Sequence, residues 1–178
     1  GESMVRQLIH GKNFFMDEFG VEVDNLWLPD VFGYSAALPQ ILKKSGVNYF
    51  LTQKLSWSQY NEFPHHTFHW RGIDGSEVLT HFPPENTYNS ELDTEFLIPA
   101  QKHFKEKAYL DEFISLFGVG NGGGGPKPEN IELGHRMSNL ESSPKVKFDL
   151  ARNFFKRLDK NKESLETWVG ELLSLIHI

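Results

Sequence analysis

The carboxylate of Asp30 is placed where α/β proteins keep their chemistry. It follows a short apolar run, Asn25–Leu28, and precedes Phe32, so an acid and an aromatic ring are presented together at the expected carboxyl end of a strand. Such a carboxylate can act as a nucleophile on a sugar carbon, as a general base or as a hard ligand to a divalent metal. Asp also commonly caps a following turn. The spacing alone leaves these roles open.

A glycine-rich segment offers a second kind of chemistry. Gly118–Gly123 fits the G-x-G-x-x-G pattern of dinucleotide-binding turns and lies between a predicted strand at Glu112–Phe117 and a predicted helix at Pro128–Leu140. No acidic residue ends a following strand at the required distance, because Glu141 precedes the predicted strand Val146–Phe148. A nicotinamide-binding oxidoreductase therefore stays open as an alternative, beside a flexible connection that lets backbone approach a ligand closely.

Histidines and a polar loop form a third group of candidates. His65 and His69 have no Glu between them, which excludes a H-E-x-x-H metalloprotease helix and favours polar strand and loop histidines over a zinc pair. The loop Pro83–Asn89 follows a predicted strand and carries amide, hydroxyl and phenol groups that could bind a polyol. Tyr88 is the phenol of this loop and is a predicted substrate-binding residue.

The composition narrows the class of protein. The chain has 178 residues with 39% hydrophobic and 24% charged residues, which is typical of a globular chain rather than of a disordered or coiled-coil one. The net charge of −6, without a basic cluster, disfavours nucleic acid as a partner. With no Cys, thiolate catalysis and Cys-type zinc sites are excluded, so any metal needs His, Asp or Glu ligands. No apolar run reaches the length of a membrane span.

Short apolar strands alternate with helical patterns along the chain. Strands are predicted at Asn25–Leu28, Tyr49–Thr52, Thr67–Trp70, Val78–Phe82, Glu112–Phe117 and Val146–Phe148. Helices are predicted from Ser35 to a point before Gly46, at Phe96–Leu110, at Pro128–Leu140 and at Leu150–Leu158. The turn Asp74–Gly75 predicts that two of the strands pair as a hairpin. The alternation predicts an α/β fold built on a parallel sheet or barrel.

Both ends of the sequence indicate a piece of a longer chain. Residues 1–9 have the pattern of a helix that begins without an initiator Met. The last six residues, 173–178, resemble a translated sequencing adapter and are set aside from the fold prediction. We therefore expect residues 1–172 to be part of one catalytic domain and residues 173–178 to be an artefact.

Taken in order, several motifs resemble the catalytic domain of glycoside hydrolase family 38 α-mannosidases, most of all their cytosolic and bacterial branch. These motifs are Glu2–Gln7, Leu28–Ser35, Phe50–Trp57, Phe63–Phe68, His81–Pro84, Gly120–Pro126 and Trp168–Leu172. The resemblance implies a seven-stranded β/α barrel, of which this chain holds an incomplete part, and hydrolysis of α-mannosidic bonds with retention by means of zinc. It also implies a cytoplasmic location, a mannose-containing oligosaccharide as substrate and no membrane partner, and is compatible with an oligomer of the full-length protein.

The resemblance assigns roles to individual residues. Asp30 matches the aspartate that is both nucleophile and metal ligand, and Phe32 matches an aromatic wall of the sugar pocket. Lys54 falls where related branches place a basic residue beside the nucleophile. The remaining ligands to zinc, or to another divalent cation, are expected outside this fragment, which is therefore expected to be inactive alone.

The general acid/base is not assigned by the resemblance. A retaining enzyme needs a second carboxyl about 5 to 5.5 Å from the first, but the glycine loop carries Asn121 where some relatives carry Asp. Glu85 and Asp93 are the nearby alternatives, and the sequence does not rank them. A carbohydrate-binding relative without catalysis therefore also stays open.

Overall fold

In the computed structural model, which describes residues 1–174, short strands and helices alternate along the chain. The strands are β1 (Asn25–Trp27), β2 (Gly33–Tyr34), β3 (Tyr49–Leu51), β4 (Thr67–Arg71), β5 (Glu77–His81), β6 (Thr167–Val169) and β7 (Leu172–Leu173). The helices are α1 (Glu2–Phe19), α2 (Leu38–Lys44), α3 (Thr94–His103), α4 (Pro128–Met137) and α5 (Ala151–Leu158), with 3-10 turns at Lys54–Trp57 and Asp159–Ser164. The predicted α/β class is confirmed.

Five of the strands form one mixed sheet in the order β1-β3-β5-β4-β6. Strands β1, β3 and β5 run parallel, β4 is antiparallel to β5, and β6 is parallel to β4. The β4–β5 pair is the predicted hairpin. Its turn contains Gly75 at φ 83, which glycine adopts without strain, and Asp74 Oδ1 accepts a hydrogen bond from the Ser76 backbone N–H at 3.0 Å.

Both faces of this sheet are covered, as expected of a sheet rich in parallel strands. Alternate residues of β3 point to opposite sides, so Phe50 joins one apolar cluster and Leu51 the other. The first cluster includes Leu38 and Leu42 of α2. The second is closed by α5, whose Phe155 stacks on Tyr49 with ring centroids 5.0 Å apart. Burial on both faces therefore fixes the register of the strands.

Two of the predicted strands are wrong. Glu112–Phe117 and Val146–Phe148 are not in strand conformation and join neither sheet. Glu112–Phe117 lies beside the end of β5, and both edges of β5 are already paired, with β3 and with β4. The Ile114 N–H instead donates to Nε2 of His81, at 3.3 Å. Apolar side chains such as Leu116 are still buried, which explains why the pattern resembled that of a strand.

Helix α3 is shorter than the predicted helix Phe96–Leu110. It begins at Thr94 because Asp93 caps it, with Oδ1 accepting from the backbone N–H groups of Glu95 at 2.9 Å and Phe96 at 3.1 Å. It ends at His103, and the residues that follow form turns.

A second, two-stranded sheet pairs β2 with β7 in antiparallel fashion. Leu173 therefore lies opposite Gly33, and Ser174 donates two hydrogen bonds to the Phe32 carbonyl, from N at 2.9 Å and from Oγ at 2.8 Å. Both residues belong to the predicted adapter segment, and the rest of that segment, 175–178, lies outside the described residues.

The predicted seven-stranded barrel is not seen as a closed structure within residues 1–174, where the larger sheet has five strands. None of the helices in this part of the chain is both long and apolar enough to cross a bilayer.

Candidate functional site

The candidate site lies at the carboxyl ends of three neighbouring parallel strands. Trp27 at the end of β1 is in register with Leu51 at the end of β3, and Leu51 is in register with His81 at the end of β5. The segments that leave these strand ends carry Asp30, Lys54 and Tyr88 in turn. Parallel pairing brings residues that are far apart in sequence to one edge of the sheet, where α/β proteins bind ligands.

Asp30 is ionised and faces outward. Its Oδ1 lies 3.0 Å from Lys54 Nζ and accepts a hydrogen bond from the Tyr88 hydroxyl at 3.2 Å. The hydrogen bond from Lys54 is the main reason that the pKa of Asp30 lies below its usual value, and Tyr88 adds to it. The side chain is 61% exposed, so a ligand can reach it. Among the described residues, its second oxygen accepts no hydrogen bond.

Lys54 is the buried partner of this pair, with a side chain only 7% exposed. Its ammonium lies 3.5 Å from the ring centroid of Trp57, 5.3 Å from that of Tyr88 and 5.4 Å from that of Phe32. Aromatic faces stabilise a cation that has been withdrawn from water. Lys54 is therefore held as a fixed positive charge against Asp30.

Trp57 was missed by the sequence analysis. Residues three apart eclipse one another in a 3-10 turn, so the turn Lys54–Trp57 places the Trp57 ring over the Lys54 ammonium. The K-x-x-W spacing was the available signal, but it has this meaning only once the turn is known to be a 3-10 turn. The Trp57 ring also packs against Phe32, with centroids 5.6 Å apart.

A buried tyrosine joins the turns that carry Asp30 and Lys54. The Tyr34 hydroxyl donates to the Leu28 carbonyl at 2.7 Å and lies 2.6 Å from Thr52 Oγ1, which in turn must donate to it. Burial raises the pKa of Tyr34 to about 12, so this hydroxyl keeps its proton. Tyr34 thus links the segment after β1 to the segment after β3.

The glycine loop forms a wall of the cleft that contains Asp30 and Tyr88. This cleft has a volume of about 490 Å³. The Gly120 N–H donates to Asn89 Oδ1 at 2.7 Å, and a Cβ at Gly120 would overlap the Tyr88 ring and lie 2.8 Å from Asn89 Oδ1. Glycine is therefore required here for close approach to another loop, and Asn89 of the predicted polar loop uses its side-chain oxygen to hold the glycine loop. The strand that a dinucleotide-binding turn needs before it is absent from the described residues.

Two of the carboxyls near the cleft are committed to structural contacts. Asp149 lines the cleft, but its Oδ2 accepts from Arg157 at 2.6 Å and its Oδ1 accepts from Asn153 at 2.7 Å. These bonds hold the pKa of Asp149 far below its ordinary value. Asp93, one of the two predicted alternatives for the acid/base, is occupied as the cap of α3. Asp149 is therefore not suited to donate a proton at neutral pH.

Glu85 is different. Burial raises its pKa to about 7, although hydrogen bonds from Ser115 at 2.7 Å and from Ser90 at 3.0 Å oppose the shift. Ser115 lines the cleft, whereas Glu85 itself does not. Asn121 does line the cleft and supplies an amide there. The structure therefore distinguishes the two predicted alternatives for the acid/base, since Glu85 is buried and Asp93 caps a helix. The sequence did not rank them.

The side chains of the described residues supply only part of a metal site. Within residues 1–174, no three His, Asp or Glu side chains converge in a way that could hold a metal ion. His65 and His69, for which the sequence favoured polar structural roles over a zinc pair, have other contacts. Nδ1 of His65 lies 3.4 Å from Glu106 Oε1, and Nε2 of His69 lies 2.9 Å from the Lys162 carbonyl. Asp30, with an exposed and ionised carboxylate, fits the role of one hard oxygen ligand.

Comparisons with known proteins agree over the whole chain. Residues 1–171 match the family model described as glycosyl hydrolases family 38 N-terminal domain. The chain is 46% identical over 177 residues to human alpha-mannosidase 2C1, 45% identical to alpha-mannosidase G of Dictyostelium discoideum and 40% identical to an alpha-mannosidase of Saccharomyces cerevisiae. Each match covers 99% of this chain but only 16% or 17% of the relative. The chain thus spans about a sixth of the length of these proteins.

A solved structure supports the fold. The crystal structure of an alpha-mannosidase from Enterococcus faecalis V583 aligns with a TM-score of 0.66 and 18% sequence identity, covering 96% of this chain and 20% of that one.

Proposed function

This chain belongs to glycoside hydrolase family 38, and we propose that it carries the nucleophile of a retaining, zinc-dependent α-mannosidase that acts on mannose-containing oligosaccharides. We use "complete enzyme" for a protein that extends this chain to the length of its relatives. In the complete enzyme, the sheet described above would be part of a seven-stranded β/α barrel. The resemblance to the cytosolic and bacterial branch supports a cytoplasmic location.

The observation that carries the proposal is the environment of Asp30. An ionised carboxylate stands at the open edge of the sheet, with a buried ammonium at 3.0 Å and a phenol at 3.2 Å on the same oxygen. Its other oxygen is left for attack on a sugar carbon. In a retaining mechanism this oxygen forms a bond to the anomeric carbon as the glycosidic bond breaks, and water then releases the sugar.

Lys54 and Tyr88 have distinct tasks in this mechanism. Lys54 keeps Asp30 ionised. Its ammonium is held in place because aromatic rings enclose it. Tyr88 orients the carboxylate through its hydroxyl, and its ring is in turn fixed by the close approach of Gly120. Preorganised partners of this kind contribute to catalysis because they need no rearrangement during the reaction.

Asp30 would supply one ligand to zinc, and the remaining ligands would come from other parts of the complete enzyme. When bound, the ion would act as a Lewis acid that grips sugar hydroxyl groups and counters the charge of the carboxylate.

The proton for the leaving group needs a neutral carboxyl. Of the carboxyls discussed above, only Glu85 has a pKa raised to the neutral range, and Ser115 connects it to the cleft wall. The cleft itself presents Asn121, Asp149 and Asp30, none of which can donate a proton at neutral pH. This arrangement favours one second candidate function, which is binding of mannose-containing glycans without hydrolysis.

One experiment separates the two functions. The complete enzyme, loaded with zinc, is incubated with an aryl α-mannoside, and the anomer first released is followed by NMR. We expect α-mannose as the first product and loss of turnover with a chelator. Binding of mannose without any turnover would favour the second candidate, and hydrolysis with inversion would contradict the role given to Asp30.

A further inference from the structure

Trp57 is an exposed aromatic residue beside the nucleophile that the mechanism above does not use. Its side chain is 52% exposed, although large aromatic rings are usually well buried. One part of the ring is covered by the Lys54 ammonium and another by Phe32. The remaining surface faces solvent in the immediate neighbourhood of Asp30, because the same Lys54 nitrogen contacts both residues.

The position of Trp57 is fixed before any ligand binds. The turn that carries it is closed by a hydrogen bond from Ser56 N to the Gln53 carbonyl, at 3.1 Å, and by one from Gln53 Nε2 to Ser56 Oγ, at 2.8 Å. Gln53 is itself buried and also bonds to the Asn86 carbonyl. A ligand that stacks on Trp57 therefore loses little binding energy to ordering of the protein.

Phe32 extends this surface. It is 40% exposed and neighbours Trp57 at a tilt of 58°, so the two rings form an angled apolar surface. Neither ring lines the cleft between Asp30 and the glycine loop. Asp30 thus stands between two different surfaces, a polar cleft with Tyr88 and Asn121 on one side, and a pair of aromatic rings beyond Lys54.

The chemistry of this aromatic pair matches one kind of ligand. A pyranose ring has a face of C–H groups that packs well on an aromatic ring, and hydroxyl groups around its edge that remain in water. A charged ligand fits poorly: Lys54 uses its charge on Asp30 and the ring faces, and a cation would be repelled by that ammonium. The surface is therefore suited to a neutral sugar.

We propose that Trp57, which adjoins the predicted sugar-pocket residue Phe32, forms a second carbohydrate subsite that stacks the hexose unit next to the one attacked by Asp30. This inference rests on the proposed function, because it extends the same site along an oligosaccharide. It makes Trp57 a determinant of chain-length preference, since a substrate such as α-mannosyl fluoride has no second unit to stack.

The test compares two substrates in the complete enzyme. For Trp57→Ala, Trp57→Phe and the unchanged protein, kcat/KM is measured with α-mannotriose and with α-mannosyl fluoride, which carries neither a second sugar nor an aryl ring that could stack on Trp57. The ratio of the two values is the readout. Taking this ratio removes any effect of Trp57 on Lys54 that both substrates share. We expect the ratio to fall about tenfold for Trp57→Ala and less for Trp57→Phe, which keeps a ring. An unchanged ratio for Trp57→Ala overturns the proposal.

A matched control is Tyr60→Ala. Tyr60 lies in the same segment and is 72% exposed, but it makes no ring contact with Phe32 or Lys54. The ratio of the two kcat/KM values should stay unchanged in Tyr60→Ala. A fall in this ratio as large as that of Trp57→Ala would contradict a subsite centred on Trp57.

A binding measurement keeps the subsite separate from the proposed function. If the complete enzyme hydrolyses no aryl α-mannoside, the proposed hydrolase function fails, and α-mannotriose is titrated calorimetrically into the protein with and without Trp57→Ala. Dissociation constants that differ about tenfold support the subsite. Equal constants, or no binding to either protein, overturn it.

Discussion

Lys54 Nζ lies 3.0 Å from Asp30 Oδ1, and of the two side chains it is the cation that is buried and the carboxylate that is exposed. This asymmetry suits a nucleophile, because the charge that stabilises it is fixed while the reacting oxygen remains accessible. The pair is made by two adjacent parallel strands, β1 and β3, whose following turns carry one partner each.

Replacing the cation should shift the pH profile of the complete enzyme. Lys54→Met removes the main hydrogen bond that lowers the pKa of Asp30, so this pKa rises. Because the ionised form reacts, the acidic limb of kcat/KM should move to higher pH, and kcat/KM should fall by about tenfold or more. The exposed Lys160, changed to Met, is the control and should leave the profile unchanged. An acidic limb that does not move in Lys54→Met would contradict the pairing.

Replacing the nucleophile should abolish turnover without unfolding the protein. Asp30→Asn removes the attacking oxygen, so we expect kcat to fall by at least about a thousandfold. Because the buried Lys54 ammonium loses its counter-ion, we expect the free energy of unfolding to fall by about 1 to 3 kcal/mol while the fold is retained. The measurements are turnover of an aryl α-mannoside and urea denaturation. Asp17→Asn on α1 is the matched control, and an active Asp30→Asn variant would refute the assignment.

Adding a methyl group to the glycine loop should displace Tyr88 and so disturb the environment of Asp30. Gly120→Ala places a Cβ against Tyr88, which must move away from Asp30. Overpacking of this kind costs about 1 to 3 kcal/mol, and we expect kcat/KM to fall by about tenfold. Gly125→Ala is the control, because a Cβ there meets no atom within 4 Å. Equal activities of the two variants would show that the contact with Tyr88 has no role.

The glycine loop also allows a test of the alternative that this protein binds a nicotinamide cofactor. In a thermal-shift titration with NADH, neither the unchanged chain nor Gly120→Val should show a shift, since no strand precedes the loop in the described residues. A shift that is lost in Gly120→Val would revive the oxidoreductase hypothesis.

Glu85 should make stability depend on pH in a direction opposite to most carboxyls. Its pKa in the folded protein is about 7, against an ordinary value of 4.5, so its neutral form stabilises the fold below about pH 4.5. This stabilisation is lost as the pH rises through about 7. Glu85→Gln should therefore gain stability relative to the unchanged enzyme as the pH rises, by up to about 3 kcal/mol at pH 8, measured by urea denaturation.

Glu62→Gln is the opposite-sign control for this experiment. Hydrogen bonds from Lys105 and His103 lower the pKa of Glu62 to about 2. Its stabilisation is therefore present above pH 4.5 and lost as the pH falls through about 2. Glu62→Gln should show no gain in stability between about pH 5 and 8. If the stability of both variants changes in the same way with pH, the burial of Glu85 is not the cause of the pH dependence.

The isolated 178-residue chain should neither bind zinc tightly nor hydrolyse an aryl α-mannoside. A zinc site needs three or four protein ligands, and residues 1–174 bring no group of three candidates together. Calorimetric titration with zinc and a turnover assay check this expectation, with the complete enzyme as the positive control. Turnover by the isolated chain would mean that it holds the whole catalytic site.

Local patterns predicted much of the fold correctly. The hairpin of β4 and β5 followed from its turn, and β1, β3 and α5 followed from their apolar spacing. The same logic failed at Glu112–Phe117, where buried side chains mimic a strand but the segment lies beside β5, whose two edges are already paired. A run of apolar residues indicates that a segment is buried. A strand also needs a neighbouring strand with an unpaired edge, and the arrangement of the whole sheet decides which edges are unpaired.

The sequence alone determined the chemistry that this protein could carry. The type and order of its residues identified Asp30, Phe32, Lys54 and Tyr88 as candidates, and the absence of Cys restricted any metal to His, Asp or Glu. Only the tertiary structure decided how they meet, because parallel pairing of β1, β3 and β5 gathers three distant segments at one edge. It also separated Glu85 from Asp93 and placed Trp57 over Lys54, since burial and ring contacts arise between segments and are not encoded in any one of them.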